Sequence, residues 1–244
     1  MDYNKSQKYT DYNKIYDNCS GPGGLALSEF MAEKMSIQEG KRLVDIGFYR
    51  GYQTCFLAKE YNVNIVGIDP GTIIGDTEYG IEYLMKNARE FGVDDKIIGV
   101  KTGVPDTLLP SECFDYANST NCLEMIRGWK GEEGYIAALK EIYRLLKKGG
   151  ILGIGEPMSH DVPIYEEAEP YFAKIGWPFV TLEETVKAVT EAGFTILESG
   201  YCKDASKWWQ EFSEYCTGDA NERKFIELDN SRWLSFGYIV AVKD

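Results

Sequence analysis

Histidine is almost missing from this chain: His160 is the only one in 244 residues. The six cysteines are scattered without CxxC spacing, so neither a zinc ligand set nor a disulfide framework is expected, and no metal is. No apolar run reaches membrane-spanning length, and the polar N-terminus has no basic-then-apolar leader, which argues against membrane insertion and secretion. Positive charge is also scarce, with 26 Lys and Arg against 39 Asp and Glu, a net charge of −13. Nucleic acid is therefore disfavoured as a partner, since neutralising phosphates needs clustered Lys and Arg. An acidic field does tolerate a cationic cofactor or substrate. Together these absences predict a cytoplasmic protein with reduced thiols. There is no internal repeat, and no feature sets an oligomeric state.

The most informative stretch is 41–58, KRLVDIGFYRGYQTCFLA. Leu43, Val44 and Ile46 form an apolar run too short for a helix, and Gly47 ends it, predicting a buried strand over 42–46. A glycine turn over 47–51 then opens a helix at Tyr52, with Gly51 allowing the close turn. Asp45 is the one charge in that strand, near its carboxyl end, where open α/β sheets place ligands. One helix later a second apolar strand, 64–69, ends in Asp69. An acid there is placed to accept hydrogen bonds from the two hydroxyls of a ribose. Strand, glycine turn, helix, strand and acid in series are far more specific than a glycine turn alone.

The remaining chain alternates strands and helices. Helices are predicted over 25–35, 79–91, 135–148, 182–192 and 207–216, the last carrying Trp208, Trp209, Phe212 and Tyr215. Strands are predicted over 96–101, 113–119, 151–155, 194–201 and 235–242, with a loop over 70–76. Residues 161–179 have no regular period and read as an excursion. This pattern predicts a single α/β domain over 25–244, a doubly wound sheet covered on both faces, with insertions near 156–180 and 203–233. Residues 1–24 form an arm in which Tyr9, Tyr12 and Tyr16 are spaced for one helix face. The arm is either an aromatic strap on the domain surface or a lid over the cleft.

This order of elements resembles the class I S-adenosylmethionine-dependent methyltransferases of small-molecule type. The resemblance rests on Val44-Asp-Ile-Gly47 with Gly51, on Ile68-Asp69, on Phe114-Asp115 with 119–123, on the helix and strand over 139–157, and on Ala192-Gly-Phe194. It implies a Rossmann-like, mostly parallel sheet of seven strands, with the last strand antiparallel beside the fifth. It also implies S-adenosylmethionine as cofactor. Asp45, Gly47 and Gly51 would then hold its methionine end and ribose edge, and Asp69, followed by Pro70, its ribose hydroxyls. Gly103 and Val104 would line the adenine, with Asn118 and Ser119 beneath the sulfonium. The family usually has a second glycine where this chain has Tyr49, and an acid against adenine where it has Val104.

Methyl transfer needs a nucleophile held about 3 Å from the methyl, in line with the leaving sulfur. A general base is needed only when that nucleophile arrives protonated. Asn121, Glu124 and His160, at the carboxyl ends of two strands, are the catalytic candidates. Tyr12, Tyr16, Cys122, Glu156, Trp177 and Trp208 are the candidates for binding a small-molecule substrate. Acids among aromatic rings suit an amine or methylated ammonium, so methyl transfer to an amine is the favoured expectation. Methylation of a thiol or metalloid through Cys55 and Cys122 is one alternative. A nucleotide-binding or regulatory module without transfer chemistry, motivated by Tyr49 and Val104, is another; a dinucleotide oxidoreductase is a third.

Overall fold

Each strand of the central sheet is flanked by covering helices, as the alternating pattern requires. The computed structural model describes every residue except Thr72, Gly75 and Asp76, and only the backbone of Ile73 and Ile74. A 3-10 turn at Ser6–Lys8 and helices α1 (Tyr12–Asn18) and α2 (Gly24–Lys34) precede the sheet. The first wound half runs β1 (Arg42–Ile46), α3 (Tyr52–Glu60), β2 (Asn64–Asp69), the short β3 (Ile73–Ile74) and β4 (Thr77–Glu78), α4 (Ile81–Phe91) and β5 (Ile97–Lys101). The second half runs β6 (Phe114–Thr120), α5 (Leu123–Leu145), β7 (Leu146–Ser159), α6 (Glu169–Ile175), α7 (Leu182–Glu191) and β8 (Thr195–Tyr201). Helices α8 (Ala205–Tyr215) and α9 (Ala220–Asp229) and strand β9 (Leu234–Val242) complete the chain.

Seven strands form one sheet in the order β5-β2-β1-β6-β7-β9-β8. β9 pairs antiparallel with both β7 and β8, and the other pairings are parallel. This is the mostly parallel seven-stranded architecture expected, with the last strand inserted beside the long β7. The composition of β1 shows how the layers arise. Leu43 joins a core cluster with α2 and α3, whereas Val44 and Ile46 join a second cluster with α5 and α7 on the opposite face. A strand buried on both faces has no polar side to show, so it reads as a continuous apolar run.

Several elements depart from the sequence reading. The helix expected over 135–148 begins at Leu123 and breaks at Gly131, whose φ of 69° is non-helical. Gly128, Gly131 and Gly134 dilute the helical pattern of its first half. The strand expected over 151–155 extends across Leu146–Ser159 because β9 pairs along its far end, as far as Ser159 with Leu234. Glu156 thus stands in the sheet. The excursion contains α6, a second helix (α9) follows α8, and the loop expected over 70–76 includes one strand of the β3–β4 pair. Thr72, Gly75 and Asp76 lie outside the described residues. In the arm, Tyr9 precedes α1 rather than sharing its face with Tyr12 and Tyr16; it stacks on Phe91 at 5.6 Å.

Gly51 begins α3 with φ of 77°, and a Cβ there would lie 2.1 Å from Leu84 Cδ1 and 3.1 Å from its Cα. Gly51→Ala is expected to destabilise the fold by about 2–4 kcal/mol, from left-handed backbone cost and overpacking together. Urea unfolding checks this; a loss below about 1 kcal/mol would mean that the turn shifts freely.

Candidate functional site

The carboxyl ends of β1, β2, β6 and β7 bring most of the singled-out residues to one edge. Asp45 is buried; its oxygens accept hydrogen bonds from Thr54 Oγ1 at 2.6 Å and Asn118 Nδ2 at 2.8 Å. This ties β1 to the start of α3 and to β6. Asp69, also buried, accepts the backbone N–H of Tyr49 at 2.9 Å and that of Gly71 at 2.8 Å. Burial raises its pKa and the two N–H groups oppose the rise. Each oxygen of Asp69 has a further lone pair, enough to receive ribose hydroxyls. Beside it, an open cleft of about 380 Å³ is bordered by Gly71, Gly80, Tyr83 and Lys101.

The glycine turn is closely approached. A Cβ on Gly47, whose φ is 79°, would lie 2.3 Å from Cys122 Sγ. Tyr49, where the family usually has glycine, adopts φ of 55°, the left-handed region that glycine enters without cost. Its ring packs on Tyr79 at 5.2 Å. Gly103 approaches Pro70, to which a Cβ would lie 3.5 Å away, and Val104 is buried. Asn118 Oδ1 and Ser119 Oγ are buried without a hydrogen-bond partner among the described residues. These orphaned polar atoms, the tight glycine turn and the Asp69 carboxylate fit a ribose-bearing cofactor of the S-adenosylmethionine kind.

Next to this edge is a buried charged cluster. Glu124 is 4% exposed and Glu156 1% exposed. Glu156 Oε1 accepts the hydroxyl of Tyr135 at 2.9 Å and lies 3.5 Å from Arg127 Nη1. Desolvation pushes both carboxyls above the ordinary range; the neighbouring Glu156 charge adds to the rise at Glu124, and Arg127 opposes it at Glu156. The register that pairs Thr120 with Gly155 brings Glu156, the next residue of β7, near Glu124 in the first turn of α5. Arg127 and Tyr135 complete the cluster from α5. Sequence reading missed Arg127, although its spacing of three from Glu124 on a helix is the available signal.

The raised carboxyls make stability depend on pH. The folded chain holds more protons than the unfolded one between the ordinary glutamate value and about 7, where Glu156 titrates. Stability therefore falls as pH rises through that window. The melting temperature is expected to drop between about pH 5.5 and about pH 8, and to drop less in Glu124→Gln. Equal slopes in the two proteins would contradict the buried-pair assignment.

Other candidates are placed less centrally. Asn121, at φ of 51°, donates from Nδ2 to the Pro22 carbonyl at 3.1 Å, so the arm reaches the end of β6. Tyr12, 40% exposed, and buried Tyr16 stack on Tyr215, and the Tyr16 hydroxyl donates to Glu211 at 3.1 Å. His160 packs on the Tyr201 ring at 4.2 Å, and its backbone N–H donates to the Trp233 carbonyl. Trp177 sits with Phe179, Trp209 and Phe225 in a separate aromatic cluster of the insertions. Trp208, a substrate-binding candidate, is 1% exposed and packed in the core against Tyr3, Phe30 and Phe236.

Burial raises the thiol pKa of Cys122 well above its usual value, and negative charge from Glu124, Asp69, Asp45 and Glu156 adds to it. Cys55 is pushed up to about 12 by burial. Burial thus favours the protonated, less reactive form of both thiols. Among the described residues, no three Cys, His, Asp or Glu side chains come together as a metal-ion set. No helix among them is long and apolar enough to cross a membrane.

The sheet order, the turn between β1 and α3 and the acid ending β2 define an α/β protein that takes a nucleoside-bearing cofactor at its carboxyl edge. A family model described as a methyltransferase domain matches residues 24–199. The chain belongs to this family, that of the class I S-adenosylmethionine-dependent methyltransferases. It is similar to the sterol 24-C-methyltransferase of Aspergillus fumigatus, 25% identical over 177 residues that cover 70% of this chain and 44% of that protein. The chain thus spans less than half the length of that relative. It is also similar, at 23% identity over 98% of this chain and 95% of the relative, to the phosphoethanolamine N-methyltransferase of Plasmodium falciparum. Among solved structures, the [4+2]-cyclase SpnF superposes with a TM-score of 0.70 at 21% identity, covering 90% of this chain and 80% of that one. That likeness concerns the fold.

Proposed function

We propose that this chain binds S-adenosylmethionine along Gly47, Gly51, Asp69 and Asn118 and transfers its methyl group to a small-molecule amine. The observation that carries the amine is the buried pair Glu124 and Glu156, each with Oε2 unpartnered among the described residues, beside Cys122 and the glycine turn. When bound, the cofactor supplies an electrophilic methyl group on a sulfonium. Asp69 fixes the ribose, while Asn118, held by Asp45, and Ser119 form the floor. An incoming ammonium would favour the ionised form of the Glu124 carboxyl, which would then anchor it and take the proton the nitrogen must lose before its lone pair can attack. A carboxyl with a raised pKa suits that role better than a surface one. The similarity to a phosphoethanolamine N-methyltransferase supports the choice of nitrogen.

In this reading the arm is the lid. Its polar contacts with the site edge include Asn121 to the Pro22 carbonyl, Arg50 Nη1 to the Asp17 carbonyl at 2.8 Å, and Gln53 Nε2 to the Gly24 carbonyl at 2.9 Å. The insertions near 156–180 and 203–233 bound the substrate side, with Tyr12 and Tyr16 above it. Glu124→Gln tests the assignment. It is expected to lower kcat by about 10²-fold while leaving the affinity for S-adenosylmethionine within about twofold. Unchanged turnover of an amine would return Glu124 to a purely structural role.

A further inference from the structure

The cluster at the start of α5 contains a cation that anchoring a simple amine does not use. Arg127 is 7% exposed and lies one helical turn after Glu124. Its Nε donates to Glu132 at 2.8 Å, its Nη1 faces Glu156 at 3.5 Å, and its guanidinium stacks 3.5 Å from the centroid of the Tyr135 ring. Nη2 has no hydrogen-bond partner among the described residues, and neither do Oε2 of Glu124 and Oε2 of Glu156. One buried donor and two buried acceptors are thus left open within a single cluster. Buried polar atoms are ordinarily paired, and an open guanidinium edge is the preferred partner of a carboxylate or phosphate.

Arg127 favours the ionised form of Glu156, but a simple cation leaves its open Nη2 edge unused. A ligand with both signs of charge satisfies all three atoms. We infer that the methyl acceptor is an amine that carries its own acid group, with its ammonium against Glu124 and Glu156 and its carboxylate or phosphate on the Nη2 edge of Arg127. This rests on the amine methyl transfer proposed above. Arg127 then sets specificity, and Tyr135 positions it by stacking beneath the guanidinium and bonding to Glu156.

The test is calorimetric titration of the full chain saturated with S-adenosylhomocysteine. The probes are glycine, glycinamide, 2-aminoethyl phosphate and ethylamine. At least one acid-bearing probe is expected to bind about tenfold or more tighter than glycinamide and ethylamine, as a charge-assisted hydrogen bond predicts. Comparing glycine with 2-aminoethyl phosphate separates a carboxylate site from a phosphate site. Arg127→Gln should remove the advantage of the acid-bearing probes while leaving the S-adenosylhomocysteine affinity within about twofold. Should that variant fail to fold, Arg127→Lys, which keeps the charge but loses the fork, should shrink the same gap. No advantage for either acid-bearing probe in the wild-type protein, including no binding of both, overturns the inference. Failure of S-adenosylhomocysteine itself to bind would instead sink the methyl-transfer reading.

Discussion

Replacing Asp69 with alanine is expected to weaken S-adenosylmethionine binding about 10- to 100-fold, the largest loss from any single contact at the cofactor edge. Two effects act together. The ribose hydroxyls lose a charged acceptor, worth about 1.5–3 kcal/mol for a hydrogen bond of this kind. The N–H groups of Tyr49 and Gly71, which both donate to Asp69, also lose their partner, so the glycine turn and the start of the next loop are no longer held. Asp106→Ala is the matched control. Asp106 is exposed two residues after Val104 and is expected to change affinity less than about twofold. Equal losses at the two positions, read by calorimetric titration with S-adenosylmethionine and S-adenosylhomocysteine, would remove Asp69 from the ribose.

Trp208→Ala is expected to cost about 3–5 kcal/mol of folding stability. Trp208 fills the space between α2 and the sheet, with its ring centroid 6.1 Å from Phe30 and 5.5 Å from Phe236. It also touches the arm through Tyr3, whose hydroxyl donates to Asp204. Deleting the indole therefore leaves a cavity in the core and loosens the arm's anchor together. Trp129, 67% exposed on α5, provides the comparison, and Trp129→Ala is expected to stay within about 0.5 kcal/mol. Urea denaturation of the two variants decides between a core role and a surface role for Trp208; similar small losses would contradict the packing described.

The contrast between the two tryptophans shows where sequence reading stops. Trp208 and Trp209 stand together on a helix whose aromatic face was legible, but which face meets the core and which meets the insertions depends on packing that no local pattern encodes. Trp208 turns toward α2 and β9, and Trp209 toward Trp177 and Phe179. The sheet was legible because its central strands are buried on both faces, because Gly47 ends β1, and because the wound halves repeat strand and helix. The cofactor edge was legible for the same reason: Gly47, Gly51 and Asp69 lie within one strand–turn–helix–strand unit, so their spacing in sequence sets their spacing in space.

The charged cluster was not legible in that way. Glu124 and Glu156 belong to different strand–helix units and meet only through the β6–β7 register. Arg127 sits in a half-helix interrupted by Gly128 and Gly131, where the periodic signal is weakest. The reach of β7 past Gly155, which puts Glu156 inside the sheet rather than on a loop, follows from its pairing with β9 near the end of the chain. These are long-range pairings, visible only once the strands are placed.

SpnF, named a cyclase, has this fold, so transfer chemistry needs its own evidence. The most direct measurement is to incubate the protein with S-adenosylmethionine labelled on its methyl carbon and a panel of small amines, with and without acid groups, and to follow the label by mass. A labelled N-methyl product together with S-adenosylhomocysteine is expected from the wild-type protein, with a rate about 10²-fold lower for Glu124→Gln. Tight binding of S-adenosylmethionine with no label passing to any amine would contradict this expectation and leave a cofactor-binding module without amine methyl transfer.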